Sequence, residues 1–285
     1  YHGHSDALLA AGGSSVAEQA TSDSAGVTDG ALADTIVAPY NVVPELDDSI
    51  AVVCVEPVAA SMGLIAPEPA FLQGLRHECD RVGALLIFDE VITGFRVGMG
   101  GAQEKYDVTP DITCFGKVIG GGLPIGAIGG GADIMDHLSP LGPVFHAGTL
   151  SGNPLATAAG LAALSLLTPD VYMEFLARSR HLSALLRDAC SAGGFEASFP
   201  VVASLVGMVC GPSSSTPAQN FDDAKKTDEA AFGAFFRAML AQGVAMAPGA
   251  YEAIFVGLAH DDDVIDRIAE AAHRAAPIAA AELAG

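Results

Sequence analysis

Ala84-Leu85-Leu86-Ile87-Phe88 is an unbroken apolar run that closes on Asp89-Glu90. A short run of this kind reads as a strand buried in a parallel sheet. Upstream, Ala51-Val52-Val53-Cys54-Val55 repeats the pattern and closes on Glu56-Pro57. Between the two runs, Pro67 to Gly83 sets Phe71, Leu72, Leu75, Cys79 and Val82 at helical spacing. Prolines stand at its start and a glycine at its end, the usual punctuation of a helix. Strand, helix and strand within about 40 residues make a βαβ unit. Downstream, Asp111 to Phe115 and Pro124 to Gly129 predict two more short strands.

Working outward, Tyr1 to Gly30 is rich in Gly, Ser, Ala and Asp and reads as a long loop. From Ser151 the chain turns helical and alanine-rich, and Thr168-Pro169-Asp170 breaks it and caps a helix to about Cys190. Then follow a strand at Ala203 to Cys210, a polar loop at Gly211 to Asn220 and a helix at Asp228 to Gln242. A short strand near Val244 to Ala247 and a last helix from Asp261 complete the chain. The expected fold class is α/β. A large domain with a mainly parallel sheet occupies residues 1–168, and a small C-terminal α+β domain occupies residues 169–285. No internal repeat is present.

The 285 residues fit about two domains, and 51% of them are hydrophobic, enough for a large core. Thirteen Lys and Arg against 34 Asp and Glu give a net charge of −21. That balance argues against nucleic acid and against anionic membrane surfaces, both of which need cations. A small anion remains open, because a few local cations and backbone N–H groups outweigh a distant field. No apolar run reaches the roughly 18–20 residues of a spanning helix. Five scattered cysteines, odd in number and without a CxxC, fit reduced thiols in the cytoplasm. The chain begins at Tyr1 without a signal peptide and is expected to be a fragment or a processed product.

Chemistry concentrates between Phe88 and Gly131. Asp89 and Glu90 end a buried strand, the edge at which open α/β sheets bind ligands. They are equally suited to capping a helix. Lys117 follows a strand within Phe115-Gly116-Lys117-Val118-Ile119-Gly120-Gly121-Gly122-Leu123-Pro124. A lysine among such residues loses hydration and becomes a nucleophilic amine; the alternative is a glycine-rich turn with a lysine reaching to water. A P-loop fails, because Asp111 and Val118 stand where Gly and Ser or Thr are needed. His77-Glu78 breaks the zinc-protease pattern at Arg81, and His2-Gly3-His4-Ser5-Asp6 is too short a basis for a metal site; no metal is expected. Lysine plus buried carboxylate suggests pyridoxal 5'-phosphate, an aldehyde held by the amine with its ring nitrogen kept protonated by the acid. Gly148-Thr149-Leu150-Ser151-Gly152-Asn153-Pro154, ahead of a helix, has the amides and hydroxyls a phosphate needs.

These segments together resemble the class III aminotransferase family. The likeness is carried by Phe88 to Arg96, Pro110 to Thr113, Gly116 to Ala127 and Gly148 to Pro154, and it covers nearly the whole chain. Tyr1 to Asp6, Phe235 to Leu240, Gly243 to Pro248, Tyr251 to Ala253 and Leu258 to His260 are similar to the aminomutase branch. The resemblance implies a type I pyridoxal-phosphate transferase fold and a homodimer with a shared active site. It implies Lys117 as the imine-forming lysine, Asp89 at the ring nitrogen, Val91 on one ring face and Tyr1 over the other. It also implies Gly148 and Thr149 at the phosphate from the partner subunit, Glu56 behind the cofactor and Glu252 near substrate. Glu252 reads otherwise as a solvated loop residue.

The implied reaction moves an amino group within a small anionic amino-aldehyde, from glutamate 1-semialdehyde to 5-aminolevulinate. An ω-aminotransferase with a second substrate is the alternative of the same family, and a non-catalytic truncated paralogue is the alternative of another class. Two departures stand out. Ser61 occupies the position of an asparagine in the family, keeping a hydroxyl but no amide. The family's long stretch before the Tyr-His-Gly segment, with a second phosphate turn and the substrate-binding arginine, is not in these residues. The chain is therefore expected to be N-terminally truncated and poorly active alone.

Overall fold

The structure, a computed structural model, describes residues 1–11, 18–19, 21–22 and 24–284. Within the segment read as a long N-terminal loop, residues 12–17, 20 and 23 lie outside the described set. The remainder carries short pieces, among them a 3-10 turn at Asp6–Leu8 and a helical turn at Asp29–Leu32.

Four strands form the central sheet: β1 (Val52–Val55), β2 (Leu85–Asp89), β3 (Ile112–Phe115) and β4 (Ala127–Gly130), in the order β1-β2-β3-β4. β1, β2 and β3 run parallel, with Val53 opposite Leu86, Ile87 opposite Ile112 and Asp89 opposite Cys114. β4 returns antiparallel, so the sheet is mixed and mostly parallel. Helix α1 (Phe71–Val82) makes the crossover from β1 to β2. It buries Phe71, Leu72, Leu75 and Cys79, and Gly83 in the left-handed region (φ 79°) ends it by donating its N–H to the Cys79 carbonyl. That stripe packs on Leu86 and Phe88, both fully buried. On the opposite face Leu85, Ile87 and Asp89 fall short of full burial, and Val52 and Ile128 are exposed. Burial is therefore one-sided, where an unbroken apolar run predicts a strand covered on both faces. β4 also starts later than predicted, because Pro124-Ile125-Gly126 forms the rim of the turn that precedes it.

The second half is built on helices with side-chain caps. Asn153, Thr168 and Asp228 accept hydrogen bonds from Ala156, Val171 and Ala231 at the starts of α3 (Pro154–Leu164), α4 (Pro169–Ala192) and α5 (Glu229–Ala241). Asp261 does the same for Val264 in α6 (Asp262–Ala284). α4, α5 and α6 enclose a core of Leu182, Leu186, Phe235, Met239, Ile265 and Ala272. The strand predicted for Ala203 to Cys210 is instead two pieces, Leu205–Val206 and Val209–Cys210. Val201–Val202 pairs back on the first and Ala197–Ser198 on the second. Gly207 sits between them, donating to the Pro200 carbonyl at 2.8 Å, and that hairpin cuts the run. Val244 to Ala247 forms no strand; Ile254–Phe255 takes the pairing position beside Leu205–Val206 instead. A third cluster, Val58, Ala60, Leu64, Leu205 and Ala253, joins the two halves. All five cysteines are free thiols. No single helix among the described residues is long and apolar enough to cross a membrane.

Candidate active site

The parallel pairing of β2 and β3 sets the site. Asp89 ends β2 opposite Cys114, and Lys117 begins a 3-10 turn (Lys117–Gly120) directly after β3. Carboxylate and amine therefore stand at the same C-terminal sheet edge. Val91 follows Asp89, and a Cβ built on Gly116 would lie 3.2 Å from its Cγ1, so Val91 packs against the start of the lysine turn. Lys117 is held in the left-handed region at φ 48°, a conformation that costs a side-chain-bearing residue about 1–2 kcal/mol. Helix α3 fixes this turn from behind. A Cβ at Gly160 would collide with the Ile119 carbonyl, and one at Gly121 with the Ala159 carbonyl. Only glycine permits that approach.

Asp89 is largely buried, with its side chain 11% exposed. Oδ1 accepts from the Val91 N–H at 3.0 Å, and Oδ2 lies 2.8 Å from His2 Nδ1. Burial pushes this carboxyl up, but the His2 and Val91 hydrogen bonds outweigh it and hold it below the usual carboxylate range. Its neighbour Glu90 is 1% exposed and has a different task. It accepts from Thr93 Oγ1 at 3.0 Å, Ala102 N at 2.7 Å, Gln103 N at 3.3 Å and Gln103 Nε2 at 3.1 Å. Glu90 thus caps helix α2 (Gly101–Tyr106), so the helix-capping role that suited the acidic pair is taken by one member only. Glu90→Ala strands these donors and is expected to lower unfolding free energy by about 3 kcal/mol or more. Chemical denaturation measures it, and a loss under about 1 kcal/mol would contradict this account.

Tyr1, Glu56 and Ser61 meet. The Tyr1 backbone nitrogen lies 3.3 Å from Ser61 Oγ and 3.6 Å from Glu56 Oε1. Ser61 Oγ donates to Glu56 Oε1 in a short bond, and Ala60 N donates to Oε2 at 3.3 Å. The Tyr1 side chain is exposed. Glu252 is exposed in a turn, next to Tyr251, whose carbonyl accepts from Gly63 N at 2.8 Å. Gly148 and Thr149 are exposed. Lys117 is exposed as well, so of the two readings of this segment, a desolvated amine and a lysine reaching to water from a glycine-rich turn, the chain shows the second. Gly116, Gly120, Gly121 and Gly122 beside it carry no side chain that could cover it.

Two residues escaped the sequence reading. His2 appeared there in a weak metal pattern and inside the Tyr1 to Asp6 likeness, in neither case with a role at Asp89, and no group of metal-ligating side chains exists among the described residues. Arg96, in the motif after Asp89, lines with Lys117 a concavity of about 720 Å3. Neither carries a local signal, because their partners lie far away in the chain.

The family profile described as aminotransferase class-III matches residues 1–271. The chain belongs to this family. The glutamate-1-semialdehyde 2,1-aminomutase of Desulfosudis oleivorans is 50% identical over 281 residues, covering 95% of this chain and 65% of that protein. The chain thus spans less than two thirds of that curated relative. An omega-transaminase from Sphaerobacter thermophilus superposes with a TM-score of 0.86 at 28% identity, over 98% of this chain and 67% of its own. A structure described as a transaminase with PLP bound gives 0.86 at 29%, over 100% and 67%. The fold is that of class-III pyridoxal-phosphate transaminases. The donor set fits such a cofactor: an amine at one strand end, and at the next a carboxylate kept ionised by two hydrogen bonds.

Proposed function

We propose that the protein is a pyridoxal-phosphate-dependent aminomutase, converting glutamate 1-semialdehyde to 5-aminolevulinate for tetrapyrrole synthesis. The observation that carries this reading is the 50% identity to an aminomutase over 95% of the chain, Lys117 and Asp89 included in the matched span. When bound, the cofactor supplies an aldehyde that takes up amines and a ring that withdraws electrons. Asp89 keeps a proton on the ring nitrogen. His2 orients Asp89. Lys117 Nζ holds the cofactor between turnovers and carries a proton between cofactor and substrate carbons. Val91 and Tyr1 flank the ring, Glu56 and Ser61 form the polar wall behind it, and Glu252 stands near the substrate. Gly148 and Thr149 serve the phosphate of a partner subunit in a homodimer. Their exposure, beside the exposed apolar Leu141, Phe145, Leu150 and Leu155, supports that arrangement. The separate cores on either side of residue 169 support a large cofactor domain at 1–168 and a small one after it.

The test is turnover with one substrate. Protein loaded with the aminated cofactor is expected to form 5-aminolevulinate from glutamate 1-semialdehyde without an added amino donor or acceptor. Product that appears only with a second amino compound assigns the protein to the ω-aminotransferases, the reading that the omega-transaminase superposition favours.

A further inference from the structure

The turn at residues 91–97 follows Asp89 and belongs to neither the sheet nor a helix, yet it reaches both strand ends of the site. Val91 N–H donates to Asp89 Oδ1 at 3.0 Å. A Cβ at Gly94 would lie 2.8 Å from the Phe115 ring, and the Phe95 ring centre stands 5.9 Å from that of Phe115, just ahead of Gly116 and Lys117. Phe95 is held at φ 55°, in the left-handed region that a bulky residue avoids. Such a conformation persists only where the surroundings enforce it.

The enforcing groups come from the second half of the chain. Tyr172 Oη, near the start of α4, donates to the Phe95 carbonyl at 2.9 Å. Arg96 Nη1 donates to the Val256 carbonyl at 2.9 Å and to Ser204 Oγ at 3.4 Å, and that hydroxyl donates back to the Arg96 carbonyl at 3.1 Å. Ser204 and Val256 are buried and joined to each other, Val256 N donating to the Ser204 carbonyl at 3.1 Å. The guanidinium lies 5.4 Å from the Phe255 ring centre and 6.0 Å from that of Phe175. Burial lowers its affinity for protons, and no carboxylate pairs with it among the described residues. A partly buried cation without a counter-ion is a costly filler of space. What a guanidinium adds is direction, because its planar fork, set against two rings and two acceptors, fixes the backbone that carries it.

We propose that Arg96 is a positioning residue. Through Arg96 and Tyr172 the helical half of the chain sets the turn at 91–97, and the turn sets the Asp89 carboxylate beside the start of the Lys117 turn. Arg96 itself acts on neither cofactor nor substrate. Loosening it frees the turn, and the Val91 N–H no longer stays on Asp89 Oδ1. His2 remains on Oδ2, so the carboxylate keeps one of its two hydrogen bonds and loses its fixed direction. The proposal rests on the reading of Asp89 as a cofactor residue only for its effect on turnover, since the Val91 bond is measurable without cofactor.

The experiment measures hydrogen exchange of two amides in cofactor-free protein, Val91 in the turn and Phe88 in β2, and then kcat and KM of the loaded protein with glutamate 1-semialdehyde. Arg96→Lys keeps the charge and the stem but gives up the planar fork. Tyr172→Phe gives up one hydroxyl at the Phe95 carbonyl. Each is expected to speed Val91 exchange by about tenfold or more while Phe88 keeps its wild-type rate, a local opening rather than a global one. Each is expected to lower kcat by about tenfold with KM within about threefold, the pattern of a group that orients the reacting centre without binding substrate. Wild-type Val91 exchange in both variants overturns the proposal. Val91 and Phe88 speeding together overturns it too, because lost stability alone then explains the change. A rise in KM at unchanged kcat does the same by placing Arg96 at the substrate. If Arg96→Lys does not fold, the two amides in Tyr172→Phe decide by the same criteria. Faster Val91 exchange with kcat unchanged supports the tie and counts instead against Asp89 as the group the reaction uses.

Discussion

Replacing Lys117 by alanine is expected to abolish covalent retention of pyridoxal phosphate and to cut turnover by about 10⁴-fold, the upper range for a positioned acid–base group. The fold should be untouched. Lys117 is exposed and forms no ion pair among the described residues, so no packing or charge partner is lost. Alanine inherits the same left-handed backbone at φ 48°, and the strain of the turn stays as it was. Stability and chemistry therefore separate in this variant. Other lysines offer no substitute. Lys225 and Lys226 pair with Asp222 and Asp223, and Lys105 lies over the Tyr106 ring at the far end of its helix. Borohydride treatment of the loaded wild type, followed by peptide mapping, should place the cofactor on Lys117. A label on any other lysine, or a variant that still holds the cofactor through dialysis, would remove Lys117 from the centre of the site.

What the sequence disclosed of this site follows the range of the interactions. The strand ending at Asp89 and the turn at Lys117 are written in adjacent residues, as an apolar run closed by an acid and a lysine among glycines. Helix caps are similarly local, and Thr168 and Asp228 stood where they were expected. The pairing of His2 with Asp89 spans 87 residues, and that of Arg96 with Val256 spans 160. No periodicity links such partners, so only the folded chain brings them together. The same holds for the β-pieces after Ala203. Their apolar run predicts one strand, whereas the close pass of Gly207 by Pro200 splits it. Between a desolvated and an exposed Lys117 the sequence offered no choice, because neighbours in sequence report composition, not what lies above a side chain.

Asp89→Asn separates charge from shape. The amide keeps an oxygen for the Val91 N–H and, with its NH2 turned to His2, donates to an unprotonated ring nitrogen. Packing is thus conserved, and the cofactor should still bind. What is lost is the fixed negative charge that keeps the ring nitrogen protonated. A drop of about 10³-fold in turnover, about 4 kcal/mol in the barrier, is in scale with a preorganised electrostatic group. The pH dependence supplies a second reading of the same carboxylate. Its folded-state value lies below the ordinary 3.8, so ionised Asp89 adds stability that is fully present above that value. The contribution is lost as pH falls through the depressed folded value. Wild type should accordingly exceed the Asn variant in stability at neutral pH by a margin that shrinks in acid below about pH 4. The two measurements bear on different claims. A margin that does not change with pH would show that His2 and Val91 do not stabilise the charge. Turnover within threefold of wild type would show that the charge, however well held, is not what the reaction uses.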